Sequence, residues 1–370
     1  MPPRAKEAII DCDIHQRFKS HKELYPYLSK AWQKDIDEFG LRLTTTGSGG
    51  FLNGGTGGFR EDSYPADGTM AGSDLPLMRE QLLDYYDIEY GILTGQDCSP
   101  VSTLPNADYA NAIASAYNDW MIEHWIEPEP RLKGLALIAL QNPNQAAKEL
   151  ERVLDHPGIV GALTQAGARF PYGQRFYDPI YEVLNDRGMP FVVHTGGEGS
   201  GWNGNPTPVG YPSYYIEARQ SRAMSYQAHI TSLIFEGAFD RFPNIQWVFI
   251  EGGYIWLPTF LWRLDSDWKG LRDQTPWVTR PPSEYVFERV RFTTQPMEQG
   301  EGPKSLLQIF EWGRAEKTLM FATDYPHWDF DSPEQALPRM PEELRRRIMS
   351  ENAREVFKLP VRTTEALAAD

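Results

Sequence analysis

Apolar residues along this chain gather in eight short runs, most of them continuous rather than alternating. The runs cover residues 8–13, 88–93, 134–140, 159–164, 189–194, 246–251, 289–294 and 318–323. Continuous runs of this length predict parallel strands covered on both faces. Between most of them lie stretches with apolar positions at helical spacing: residues 107–126, 144–155, 178–188, 230–243 and 341–359. Gly188 stands just before the fifth run, a helix-to-strand stop signal. Strand and helix alternating eight times predicts a (β/α)8 TIM barrel, read as one domain over residues 1–370. Two segments exceed the minimal unit. Residues 41–75 form a glycine-rich insertion after strand 1, and residues 195–216 a second long loop. Connections this long are functional or disordered. GSGGFLNGGTGG lacks the strand-to-helix setting of a phosphate loop, so it reads as a mobile lid.

Composition narrows the class. Hydrophobic residues make up 41% and aromatic residues 13%, enough for a large core. A net charge of −15 argues against nucleic acid or an anionic membrane as partner, since both would repel the chain. Two cysteines, Cys12 and Cys98, exclude a disulfide scaffold and a paired-cysteine metal motif. The N-terminus shows no apolar signal core. The most apolar stretch, IQWVFIEGGYIWLPTFLW, is too interrupted by Glu251, Gly252, Gly253 and Pro258 to span a bilayer. The expectation is a soluble cytoplasmic protein acting on a small molecule, with a homodimer open as its assembly.

Four runs end in residues that bind metals. The first delivers Asp13 and His15, and the x-spacing puts both on one strand face. The fifth ends at His194 before Thr-Gly-Gly, and the eighth at Asp324. A carboxylate ending a buried strand needs a cation or a donor nearby. Asp13, His15, His194 and Asp324 together offer two oxygens and two nitrogens. That set suits one divalent ion, Zn²⁺ first and Mn²⁺ or Fe²⁺ next, rather than Mg²⁺ or Ca²⁺. Water on such an ion ionises near neutrality, and Asp324 is the expected acceptor of its proton. Glu251 ends the sixth run as an extra ligand, a general acid/base, a substrate-orienting group, or the ion-pair partner of an arginine such as Arg222. Trp256, Trp328 and Tyr211 follow ligand-bearing strands and are expected to line an aromatic pocket. Arg169 is expected to bind a substrate carboxylate, and His229 to supply an imidazole unless it is a satisfied helix histidine.

The order Asp-x-His, fifth-strand His and eighth-strand Asp resembles the amidohydrolase superfamily. Within it the chain resembles the amidohydrolase-related branch named for aminocarboxymuconate semialdehyde decarboxylase. The segments FYDPIYEVLNDRGMPFVVHTGG, FEGAFDRFPNIQWVFIEGGYIWLP, LMFATDYPH and ENAREVFKL carry the likeness. The resemblance implies a barrel with one divalent metal held by Asp13, His15, His194 and Asp324. Two positions depart from the branch. Asp13 stands where His or Glu is frequent, and Glu251 where a strand-six His often acts. The resulting expectation is a mononuclear metal-dependent hydrolase of a small organic substrate, cyclic and aromatic ones included, that uses a metal-activated water. The alternative is a non-oxidative decarboxylase (a carboxy-lyase) of an aromatic or unsaturated acid. A non-catalytic binding barrel is the third reading.

Overall fold

Eight parallel strands, paired in sequence order from first to last, form one sheet in the computed structural model. It describes residues 7–43, 58–95 and 97–362. The strands are β1 (Ile10–Ile14), β2 (Tyr90–Leu93), β3 (Leu132–Leu137), β4 (Ile159–Gln165), β5 (Phe191–His194), β6 (Trp247–Ile250), β7 (Val290–Thr293) and β8 (Leu319–Met320). Each lies on one of the eight apolar runs. The seam between first and last strand is closed by backbone hydrogen bonds. Cys12 N donates to Phe321 O (3.0 Å), His15 N to Tyr325 O (2.8 Å) and Asp324 N to Asp13 O (3.1 Å). The result is the expected (β/α)8 barrel.

Helices fill the outer layer: α1 (Lys30–Phe39), α2 (Ala107–Met121), α3 (Pro143–Val153), α4 (Asp178–Arg187), α5 (Tyr215–Phe235), α6 (Leu257–Leu271), α7 (Pro282–Arg289), α8 (Pro303–Gly313) and α9 (Asn352–Phe357). α3 shows how they begin and sit. Asn142 caps it by accepting from Gln145 N, Pro143 opens it, and Ala146, Leu150 and Val153 form its buried stripe. α4 ends at Gly188, whose φ of 59° is the left-handed C-terminal turn that its place before β5 predicts. Ile10, Cys12, Ile92, Leu135, Val192, Val248, Ile250 and Met320 form an inner cluster drawn from successive strands. The 10/12 and 248/250 alternation is that of side chains filling a barrel interior.

α5 corrects one expectation. The helix expected over 230–243 starts instead at Tyr215, inside the segment read as a long loop, and reaches Phe235. Glu217 anchors its start by accepting from the backbone N–H of Ser213 (2.8 Å) and Tyr214 (2.7 Å). Its first turns carry polar residues inward, Arg219, Ser221 and Arg222, so no apolar stripe marks them. The glycine-rich insertion read over 41–75 lies between β1 and β2. Residues 44–57 of it, the core of the expected lid, fall outside the described residues.

Gly252 sets the spacing where β5 and β6 deliver their terminal residues. A Cβ there would overlap the Tyr226 ring. That ring is fixed because its hydroxyl donates to Val193 O (3.2 Å) and to Ile250 O. Gly252→Ala is therefore expected to lower stability by about 1–3 kcal/mol through overpacking. An unchanged urea midpoint would show that the ring can give way.

Candidate metal centre

The seam and the strand ends bring four predicted residues to one place. His15 Nε2 lies 3.4 Å from Asp13 Oδ1 and 2.9 Å from Asp324 Oδ1. His194 Nε2 lies 3.5 Å from Asp13 Oδ2. Two ligands at about 2.0–2.2 Å from one ion stand roughly 3–3.5 Å apart, so these separations suit a shared cation. The other ring nitrogens are already used. His15 Nδ1 meets Gly95 O at 2.6 Å and His194 Nδ1 meets Thr195 O at 2.8 Å. Carbonyl partners hold the proton on Nδ1 and leave Nε2 as the free donor atom. Thr94 Oγ1 donates to Asp13 Oδ1 at 2.5 Å. What remains without a hydrogen-bond partner is His15 Nε2, His194 Nε2, Asp13 Oδ2 and Asp324 Oδ2, all buried. The His15 Nε2 contact with Asp324 is close but is not an aligned hydrogen bond. Buried polar atoms left unpaired in one spot call for an ion. The donor set fits one divalent metal.

The electrostatics agree. Burial pushes His15 down, but Asp13 and Asp324 outweigh it and raise the imidazole to about 10. Burial likewise works against His194, and Asp13 and Glu251 raise it all the same. Asp324 is pushed up by burial yet ends well below the usual carboxylate range, because His327 and His15 face it. The carboxylates therefore hold positive charge in place. Asp324 and Glu251 both have a φ of 62°, the left-handed region. Each costs about 1–3 kcal/mol of backbone strain, a burden typical of functional sites.

His327 is the residue that sequence reasoning passed over. Its Nδ1 bonds Asp324 Oδ1, its ring stacks on Phe59 (5.2 Å, 14°), and it stands 4.5 Å from the His15 ring. His15, Asp324 and His327 form a second cluster able to hold a cation, sharing His15 with the Asp13–His15–His194 group. The Asp-x-x-His spacing in DYPH was its only signal.

A cavity of about 620 Å³ opens over this centre, a size that takes a small organic molecule. His15, His194, Glu251, His327 and Trp328 line it. Glu251 Oε2 is 3.6 Å from His194 Nε2, while Oε1 pairs with Arg222 Nη1. Arg222 also donates to the Tyr215 hydroxyl at 3.0 Å. Of the roles weighed for Glu251, the ion pair with Arg222 is the one the geometry displays. Two more arginines line the cavity, each paired: Arg17 with Asp97 (2.6 Å) and Arg219 with Asp329 (2.5 Å).

Four expected pocket residues stand elsewhere. Trp256 turns away, its indole N–H donating to Gly252 O (3.0 Å) and Gly253 O (3.1 Å) and its ring meeting Phe292 edge-on. Tyr211 is 64% exposed and does not line the cavity. Arg169 borders a separate cavity of about 280 Å³, packed over Phe170 and Trp202. His229 borders that smaller cavity too and is a satisfied buried histidine. Its Nδ1 accepts from Tyr172 N (3.2 Å) and its Nε2 donates to Ala166 O (2.8 Å). Burial lowers its pKa to about 4.

That shift has a pH consequence. The unfolded chain takes up a proton on His229 below about 6.5, but the folded chain resists until about 4. Its contribution is thus complete above pH 6.5 and is lost as pH falls through 4, on the order of 3 kcal/mol in total. His229→Gln is expected to flatten the fall in urea midpoint between pH 7 and 4. An identical pH profile in the variant would show that His229 is not the titrating group.

Comparison with known proteins places the centre in context. The chain is 26% identical over 318 residues to the γ-resorcylate decarboxylase of Polaromonas sp. (strain JS666 / ATCC BAA-500), covering 79% of this chain and 93% of the relative. The structure matches a dihydroxybenzoic acid decarboxylase from Polaromonas sp. JS666 holding manganese and the inhibitor 2-nitroresorcinol, with TM-score 0.61, 20% identity, and 95% and 97% of the two chains covered. It also matches the 5-carboxyvanillate decarboxylase of Novosphingobium aromaticivorans complexed with manganese and 4-hydroxy-3-methoxy-5-nitrobenzoic acid, with TM-score 0.70, 20% identity, and 95% and 96% covered. These relatives are enzymes, which sets aside the non-catalytic barrel. They support the decarboxylase alternative and lend nothing to the hydrolase reading. The metal in both solved relatives is manganese rather than the zinc expected first. Among the described residues no helix is long and apolar enough to cross a membrane. The sequence profile of the amidohydrolase family matches residues 10–359, and the chain belongs to that family.

Proposed function

We propose that this chain is a metal-dependent, non-oxidative decarboxylase of an aromatic acid. The observation that carries the reading is the curated relative: a γ-resorcylate decarboxylase aligned over 93% of its own length and 79% of this chain. The four buried donor atoms without partners support it. Asp13, His15, His194 and Asp324 would hold the ion. When bound, the ion supplies positive charge that grips and polarises the oxygens of the acid.

The chain's own residues account for the proton. Loss of CO₂ from an aromatic ring needs a proton on the ring carbon that bears the carboxylate. The carbon–carbon pair then returns to the ring as CO₂ leaves, and one proton replaces one CO₂. Asp324 Oδ1 and His327 Nδ1 are hydrogen-bonded, His327 lines the cavity, and the pair can hold and deliver that proton. Glu251 is unsuited to the task because its Oε1 is already engaged by Arg222. Phe59 and Trp328 give the ring apolar faces.

The test is product analysis. Manganese-loaded protein is supplied with hydroxylated and aminated benzoic acids, and CO₂ is measured. Release of CO₂ with one solvent deuteron at the vacated ring carbon is the expected result. Uptake of labelled water oxygen without CO₂ would instead restore hydrolysis.

A further inference from the structure

We infer that Glu198 is a specificity-determining residue of this cavity: it accepts the hydrogen of a hydroxyl or amino group on the ring of the acid, and the wall around it turns away a second carboxylate. The inference rests on the decarboxylase reading for its chemistry. Its evidence is the way the cavity wall is charged and paired.

Among the described residues, every arginine of the cavity is paired with a carboxylate beside it. Among the described residues that line it outside the metal centre, three arginines face five carboxylates. A second substrate carboxylate would therefore meet no uncommitted cation and would be repelled. The acceptors are in the opposite condition. Glu198 follows β5 by four residues and borders both cavities. Its Oε1 is buried and has no hydrogen-bond partner. Gln165, 8% exposed on the same wall, also has a buried Oε1 without a partner. Buried acceptors left unpaired cost stability, and a ligand that donates hydrogen repays them. The wall thus asks for O–H or N–H on the ligand rather than for another anion.

The chemistry of the proposed reaction explains why such a group belongs there. A proton added to the ring carbon leaves the ring short of electrons. A hydroxyl or amino substituent shares that positive charge, and its hydrogen becomes more acidic. A carboxylate accepting this hydrogen bonds more strongly in the transition state than in the ground state. Glu198 then acts on both binding and rate.

The experiment uses the full chain loaded with manganese. Hydroxy-, amino- and methoxybenzoates, and a hydroxybenzoate with a second carboxylate, are titrated by tryptophan fluorescence, with CO₂ followed in parallel. The wild type is expected to bind hydroxy or amino acids at least about tenfold more tightly than their methoxy counterparts. Glu198→Ala is expected to bring that ratio near one without changing the methoxy affinity, and Glu198→Gln to fall between. Preference for the amino series assigns an aminated acid, and the reverse a phenolic one; both uphold the inference. The same ratio in wild type and Glu198→Ala, or tighter binding of the dicarboxylated acid, overturns it. A preserved ratio pattern with no CO₂ from any acid would sink the decarboxylase reading and leave the Glu198 site standing.

Discussion

Asp324→Asn will cut turnover by about 10²–10⁴-fold while the protein stays folded. Asparagine keeps the shape of the side chain and tolerates the left-handed backbone that residue 324 adopts, so the loop after β8 retains its path. What it loses is charge and the ability to hold a proton. His327 would then face a neutral amide, and the pair could no longer deliver hydrogen to a ring carbon. Metal content separates this from simple loss of the centre, because Asp13, His15 and His194 remain. The expected signature is a protein that still carries metal and binds the acid but turns over slowly. Turnover near the wild-type rate with metal retained would move the proton chemistry away from Asp324.

The second large effect is on stability. Arg222→Ala will cost about 3–5 kcal/mol, the penalty for leaving a buried charge without its partner. The Glu251 side chain is only 7% exposed, so water cannot replace the guanidinium. Glu251 Oε2 already lies near His194, so the abandoned carboxylate will also disturb the metal centre. The double variant Arg222→Met, Glu251→Gln removes both charges and is expected to regain much of the loss. Denaturant unfolding of the two proteins checks this. Equal destabilisation in both would mean that packing, rather than the unpaired charge, sets the cost.

The sequence disclosed most where physics leaves few choices. Parallel strands buried on both faces must be apolar throughout, so all eight could be read, and a polar residue ending such a run stands out. That is why Asp13, His15, His194 and Asp324 were legible. The first half of α5 was not, because its inward face serves a cavity with Arg219 and Arg222 instead of a core. His327 stands close to Asp324 in sequence but carried no assigned role, because it meets Asp324 through a turn, where no periodicity advertises contact. Trp256 misled for the converse reason. It follows a strand end closely, but the left-handed turns at Glu251 and Gly253 send the chain aside before it is reached. Arg169 and Tyr211 likewise sit on loops whose direction no strand dictates.

The seam between β1 and β8 governs more than geometry. Asp13 and Asp324 come from opposite ends of the chain, and the backbone bonds that join them form across almost its full length. Contacts so distant in sequence carry a large loop-closure cost until the intervening strands are in place. A nascent chain that has not yet been extended through its eighth strand thus lacks a complete centre. With the proposed ion, metal uptake would follow barrel closure, and its rate would report that closure.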